Sequence, residues 1–439
     1  MIWQQLLNSN RYGSDISTHK STDLTRTDFQ RDYDRIIFSS PFRRLQNKTQ
    51  VFPLPGGIFV HNRLTHSLEV SSVGRSLGNN VLTLLYSSFS TEEKQIVSQL
   101  PTVISAACLA HDLGNPPFRH SGEEAIRKYF TDNELFYKDR FDGWEWNDLV
   151  RFEGNANALR LLTHQFNGRR VGGYRLSYAV LASILKYPYS SLTNKKKYGY
   201  FKAESDVFSS IATTTGLVHD ESGEFCRHPL VYLVEAADDI CYQIMDIEDA
   251  HKLGILSNQQ TIELYTNFFD EDSDRVKNNI HETLSEVTDP NEQVAYLRAI
   301  AISKLVEKCS EIFVTNYKSI MDGERVSPLI DSLTGAPSRA METIKQVAVS
   351  KVYNHRKVVE IEIAGYQIIS SLLSIFCQAI LNPKTGHSKK VIQLIPEQFI
   401  STGSDYEKVL SILDFVSGMT DIYALETYRL IKGINLPTL

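Results

Sequence analysis

The run HDLGNPPFRHSGE (111–123) sets His111 beside Asp112 and follows them with His120 and Glu123. An imidazole and a carboxylate at adjacent positions cannot face one way within a regular helix. At a helix end, where Gly114 breaks the geometry, both can turn toward one ion. A lone His is more often a packed or solvated side chain than a ligand, and His66 in RLTHSLEV (63–70) has little weight by itself. His and Asp together suit a borderline or hard divalent ion such as Mn, Fe, Co, Zn or Mg. No Cys belongs to the cluster, which speaks against a structural zinc site. A further carboxylate is needed, and EAADDICYQIMDIEDA (235–250) offers one. Its Asp238, Tyr242 and Asp246 recur every four residues and form one polar stripe, a pattern also found on solvated acidic faces. His120 and Glu123, three apart, suit a helix start, with Ser121-Gly122 as the entry turn. A carboxylate beside an imidazole raises its basicity and orients it.

These groups must be positioned by helices. RLTHSLEVSSVGRSLGNNVLTLL (63–85) places Leu64, Leu68, Leu77, Val81 and Leu84 at helical spacings. PTVISAACLAHD (101–112) opens on Pro101, a first-turn residue, and stops before Gly114. HPLVYLVEAADDICYQIMDIEDAHKLG (228–254) has an apolar stripe beside the acidic one and ends at Gly254. Strand signals are few: TQVFPLPGGIFV (49–60) reads as a small hairpin around Pro-Gly-Gly. The segment 131–148 mixes aromatics and acids without period and reads as a surface excursion. The expected fold is all-α, with at most a small β-hairpin near 49–60. A soft boundary is expected near 255, or near 322–345; taken at 255 it separates a catalytic core with its N-terminal segment (1–255) from a C-terminal helical region (256–439) that completes the pocket and subunit contacts.

With 439 residues, 42% of them hydrophobic, the chain can bury a large core. A formal charge of −6 argues against a general nucleic-acid binder, which would be basic. The five Cys are scattered and form no CxxC, as reduced thiols in a cytoplasmic protein would. MIWQQLLNSNRYG has no basic start followed by an apolar run, so no signal peptide is expected. The most apolar stretch, IISSLLSIFCQAIL (368–381), is too short to span a bilayer, and no membrane partner is expected.

In order, RLTHSLEV, His111-Asp112 and Asp238 resemble the H…HD…D pattern of the HD-domain metal-dependent phosphohydrolases. The closer resemblance is to the deoxyguanosine triphosphate triphosphohydrolase (dGTPase) branch. It extends through RDYDRIIFSSPFRRLQNKTQVFPL (31–54), RFEGNANALRLL (151–162), LKYP (185–188), KKKYGYFKAE (195–204) and SGMTDIYALETYRLIKG (417–433), nearly the whole chain.

That resemblance implies His66, His111, Asp112 and Asp238 as ligands of a divalent metal, Mn, Mg, Co or Fe. Asp238 is preferred to Asp239 because it is in register with Tyr242 and Asp246. The resemblance makes His120 an acid, a base or a nucleophile and Glu123 its partner. It assigns Arg63, Lys186 and Tyr242 to phosphates and Tyr187 to the substrate, with Asn115 where some relatives carry His. Asp246 and Gln50 would meet the deoxyribose 3′-hydroxyl, and Tyr242 would crowd the 2′ position. Glu153, Asn155 and Lys202 would line or shape the pocket, and Lys195–Lys197 would be a solvated basic loop or a nucleotide contact. The implied reaction is hydrolysis of dGTP, or another dNTP, at the α-phosphorus to deoxynucleoside and inorganic tripolyphosphate. Also implied are a homo-oligomer, a hexamer, and an activating dNTP or single-stranded DNA as partner. Two other readings remain: an HD-type phosphohydrolase acting on nucleoside monophosphates or guanosine alarmones, and a nucleotide-sensing or single-stranded-DNA-binding module.

Overall fold

The computed structural model describes residues 1–14, 26–52 and 60–434. Among them the secondary structure is helical, with four isolated β-bridges and no sheet. Most of the hairpin expected near 49–60 lies outside the described residues. Its two flanks do meet, in an antiparallel bridge between Thr49 and Asn62.

Nine helices carry the site: α1 (Arg63–Leu85), α2 (Leu100–Ala110), α3 (Arg119–Asp132), α4 (Gly154–Thr163), α5 (Tyr178–Ile184), α6 (Pro229–Lys252), α7 (Pro290–Thr315), α8 (Arg356–Leu381) and α9 (Asp405–Ser417). Helix α1 starts at Asn62. Its side chain accepts from the Leu64 and Thr65 N–H groups, while Thr65 Oγ1 accepts from the Asn62 N–H. This reciprocal box satisfies donors that a helix start leaves free. Helix α2 is apolar all round and almost wholly buried, as the central rod of a large core should be.

Helices α1 and α2 cross very closely. A Cβ on Gly74 would stand 2.5 Å from Cys108 Sγ, and one on Gly78 would stand 2.9 Å from the Pro101 Cα. Ser71 Oγ, a turn earlier, hydrogen-bonds Ser105 O at 2.9 Å. Small residues at 71, 74 and 78 therefore let the two backbones approach.

Buried apolar side chains form two clusters. The first gathers α1, α2, α5, α6 and α7 around residues such as Leu77, Ile104, Leu181, Ile240 and Leu305. The second gathers α3, α8, α9 and residues 137–156 around Phe130, Tyr137, Phe152, Phe376 and Val409. The 131–148 segment is thus not a surface excursion. Asp142 caps a helix, Gly143–Val150, and the rings of Tyr129, Phe130, Tyr137 and Phe141 pack against one another. Aromatics without period still build a core when short helices fold back on each other. Between the clusters Arg160 of α4 binds Asp414 of α9 at 2.8 Å and Glu204 at 2.7 Å, all three buried. The IISSLLSIFCQAIL stretch is the C-terminal half of α8. By length and composition α8 could cross a membrane, but half of its apolar window is buried in the protein.

Gly78→Ala tests the crossing. Alanine gains about 1 kcal/mol of helix propensity, but Pro101 backbone as well as Ile104 Cδ1 stands in the way, and overpacking costs about 1–3 kcal/mol. A net loss of unfolding free energy is expected in urea titrations of the full chain. An unchanged or raised midpoint would show slack between the helices.

Candidate functional site

The α1–α2 crossing delivers two imidazoles to one place. His66 lies one turn into α1, and His111 follows the last residue of α2. Their ring centroids are 5.5 Å apart. Ligand atoms of His66, His111 and Asp112 all lie within 4.8 Å of one another. Asp238 reaches in from α6, its Oδ1 3.1 Å from His66 Nε2 and 3.4 Å from His111 Nε2. His111 Nδ1 donates to the Cys108 carbonyl at 2.6 Å, which leaves Nε2 to face the cluster. That Nε2 is buried and makes no hydrogen bond. A backbone carbonyl that fixes the tautomer this way is a common support for a metal-binding imidazole. Arg63 Nη1 lies 2.5 Å from Asp112 Oδ2, and the Asn115 amide donates to Asp112 Oδ1.

The electrostatics fit a cation. Burial acts to lower the pKa of His111, but Asp112 and Asp238 outweigh it and push it up to about 9. Burial acts to raise Asp238, yet His111 and His66 hold it well below the usual carboxylate range. For Asp112, Arg63 and then His111 outweigh burial in the same direction. Two carboxylates are drawing positive charge into a closed space. Two imidazoles, two carboxylates and no thiolate are a donor set for a divalent ion.

The second half of the opening motif is placed by backbone. The chain turns at Phe118 and Arg119, both left-handed, with φ of 62° and 63°, and not at Ser121-Gly122. Strain of this kind in non-glycine residues persists only where the surroundings hold it. The Phe118 N–H donates to Asp421 Oδ1 at 3.1 Å, and a Cβ on Gly365 of α8 would collide with the Phe118 side chain. Gly122 seats α3 on the Pro116-Pro117 turn, since a Cβ there would lie 2.1 Å from the Pro117 oxygen. Glu123 accepts from the Gly154 N–H at 2.8 Å and lies 3.4 Å from Arg127. Burial pulls its pKa up, but His120, Arg127 and Gly154 together lower it. His120 Nδ1 is 3.7 Å from Glu123, beyond hydrogen-bond range, and its side chain is 80% exposed. His120 therefore stands at the rim.

A cavity of about 150 Å³ joins His111, Asp112 and Asp238 to Asn115, His120, Glu123, Lys186 and Tyr187, with Glu153, Asn155 and Lys197 also on its walls. Lys186 is paired with Glu235 at 3.1 Å. Lys202 stands apart, bound to Asp142 and Glu145. Gln50, Tyr242 and Asp246 do not line this cavity. Tyr242 stacks on Tyr353 with centroids 5.8 Å apart, and Tyr353 donates to Asp246 Oδ2 at 2.7 Å. Burial pushes Asp246 up to about 7. Gln50 Oε1 is buried without a partner. Tyr353 and Arg119, whose guanidinium lies 5.8 Å from the Tyr353 ring centroid, escaped the sequence reading. Tyr353 ends a π-helical turn, Ala348–Tyr353, a long way in sequence from its partners. Arg119 lay inside the quoted motif, but nothing local signals its left-handed backbone.

The HD domain model matches residues 63–167, and the phosphohydrolase-associated domain model matches residues 334–430. A "deoxyguanosinetriphosphate triphosphohydrolase-like protein" of Synechocystis sp. is 36% identical over 99% of this chain and 100% of its own. One of the same name from Pseudomonas aeruginosa is 35% identical over 100% of both chains. A "deoxyguanosinetriphosphate triphosphohydrolase" of Yersinia enterocolitica is 30% identical over 95% of this chain and 96% of its own.

Below a pH of about 9 an ion must displace a proton from His111. Calorimetric Mn(II) affinity is therefore expected to rise from pH 6 to pH 9 and level off above it, with proton release in the lower range. Asp238→Ala should weaken binding by more than about 100-fold, beyond the loss typical of an outer-shell change. A flat pH profile together with unaltered affinity in the variant would rule the cluster out as the ion site.

Proposed function

The chain belongs to the deoxyguanosinetriphosphate triphosphohydrolase family of HD-domain phosphohydrolases, and from that premise we propose that it hydrolyses dNTPs, dGTP foremost, at the α-phosphorus. The products are the deoxynucleoside and inorganic tripolyphosphate. The observation that carries this reading is the buried His111 Nε2, which makes no hydrogen bond, in a two-His, two-Asp cluster beside Glu123, His120 and Lys186. A divalent cation held by His66, His111, Asp112 and Asp238 would supply Lewis acidity and acidify water at the site.

The chain's own groups do the rest. Lys186 and Tyr187 bind the triphosphate, as donors of the kind that polyphosphates require. Arg63 keeps Asp112 oriented and adds positive charge where phosphate arrives. Asn115 holds the other Asp112 oxygen. His120 swings inward from the rim and gives a proton to the leaving 5′-oxygen or takes one from water. Glu123, held ionised by Arg127 and the Gly154 N–H, favours the protonated imidazole. The 150 Å³ cavity is small for a whole nucleotide. The deoxyribose then falls to Gln50, Tyr242 and Asp246, with Tyr353 fixing the Asp246 carboxyl. Gln50 and Asp246 bind the 3′-hydroxyl, and Tyr242 leaves no room for a 2′-hydroxyl. We place the enzyme in the cytoplasm as a homo-oligomer, a hexamer, open to activation by a second dNTP or single-stranded DNA.

Incubating the full chain with dGTP and Mn(II) or Mg(II) should release deoxyguanosine and intact tripolyphosphate. His120→Ala should lower kcat by about 10²–10⁴-fold while Mn(II) still binds. Orthophosphate or pyrophosphate as the product would sink the reaction scheme.

A further inference from the structure

A second and larger cavity, about 570 Å³, opens beside the metal-cluster cavity. The two share Tyr187 and Lys197 as a common wall. Four separate stretches of chain build the outer one: Tyr187–Tyr189, the 195–197 loop, residues 220–232 and the Gly323–Pro328 loop. Its lining has five cations, Lys195, Lys196, Lys197, Arg227 and Arg325, against two carboxylates, Asp220 and Glu324. Asp220 already accepts from the Ser222 and Glu224 N–H groups.

Glu235 stands at the divide. One oxygen holds Lys186 on the inner side at 3.1 Å, and the other holds Arg227 on the outer side at 2.9 Å. Around the Tyr187 ring three cationic groups, Lys186, Lys197 and Arg227, lie 5.7–5.9 Å from the centroid. Cationic groups thus stand on both sides of Tyr187, with Glu235 between Lys186 and Arg227. Lys195 is spent on Glu224. Lys196, Lys197 and Arg325 make no ion pair among the described residues.

From this arrangement we infer that the outer cavity binds a linear polyphosphate, the tripolyphosphate released by the reaction, on its way out. The inference rests on the function proposed above. Hydrolysis at the α-phosphorus leaves a product of high negative charge among the cations of the inner cavity. Such an anion leaves slowly unless other cations take over its oxygens one by one. Lys186 passes it over the Tyr187 edge to Lys197 and Arg227, and Lys196 and Arg325 receive it at the mouth. The product then lingers in the outer cavity and slows the next turnover, since release steps set many enzyme rates. The other source of the same chemistry is the tail of a second nucleotide, which the test separates.

The probe is inorganic tripolyphosphate, titrated into the full chain with free Mg(II) clamped in excess because the anion chelates metals. Tripolyphosphate is expected to bind and to inhibit dGTP hydrolysis, while orthophosphate does neither. The doubly substituted Lys196→Glu, Arg325→Glu chain should raise both Kd and Ki about tenfold or more. Its initial-rate kcat/KM should stay within about twofold, because neither residue touches the inner cavity; this also shows that the variant folds. Unchanged tripolyphosphate binding in the double variant overturns the inference. So does binding lost only through Lys186→Gln, or a cavity that takes dNTPs and not free tripolyphosphate. If the wild-type chain hydrolyses no dNTP, the functional reading fails while calorimetry still reads the outer cavity. If hydrolysis is intact and tripolyphosphate does not bind, only this inference fails.

Discussion

The close crossing of α1 and α2 is the constraint on which the site depends. The helices run antiparallel, so contacts step down the pair in register: Gly78 against Pro101, Gly74 against Ile104 and Cys108, Ser71 against Ser105. The next step in that register is His66 against His111. A wider crossing would separate the imidazoles, and no side-chain rotation would bring both to one ion. The same glycine sets the third wall. A Cβ on Gly74 would lie 3.6 Å from the Ala237 Cβ, and Asp238 is the residue after Ala237. Three helices are thus brought together by one position without a side chain, and the ligand groups sit at the end of that packing. Buried charge makes the arrangement costly to misplace, since each carboxylate there needs its cationic neighbours.

Around this centre the protein uses fixed carboxylates as dividers. Asp112 stands between the metal cluster and Arg63. Glu123 stands between His120 and the Arg127–Gly154 side. Glu235 stands between Lys186 and Arg227. Each aims its cations at defined points. The cost of holding like charges close is met by partners on both sides.

Much of this was legible in the sequence because it is local. Helical spacing located α1, α2 and α6, and the order of His66, His111-Asp112 and Asp238 pointed to one shared site before any fold was known. The all-α class followed from the scarcity of strand patterns. What stayed hidden depends on long-range partners. Phe118 and Arg119 have no residue-type signal for a left-handed turn; Asp421 and Gly365, some 250–300 residues on, impose it. Tyr353 meets Asp246 through a π-helical turn that periodicity does not announce. The aromatics of 131–148 lacked period because they serve short helices that face several directions. Spacing suggested a formed His120–Glu123 pair, whereas side-chain rotation leaves His120 turned outward.

The loop after α2 has one further property. Its backbone is held by two residues remote in sequence, one before it and one after it. Lys48, buried and lowered to about 7 by desolvation, donates at 2.7 Å to both the Asn115 and Ser417 carbonyls. Asp421 accepts from Thr49 and Phe118. Three stretches far apart in sequence, 48–49, 115–118 and 417–421, are thus joined through two side chains. A displacement of either outer stretch is thereby passed to the backbone between Asp112 and Arg119.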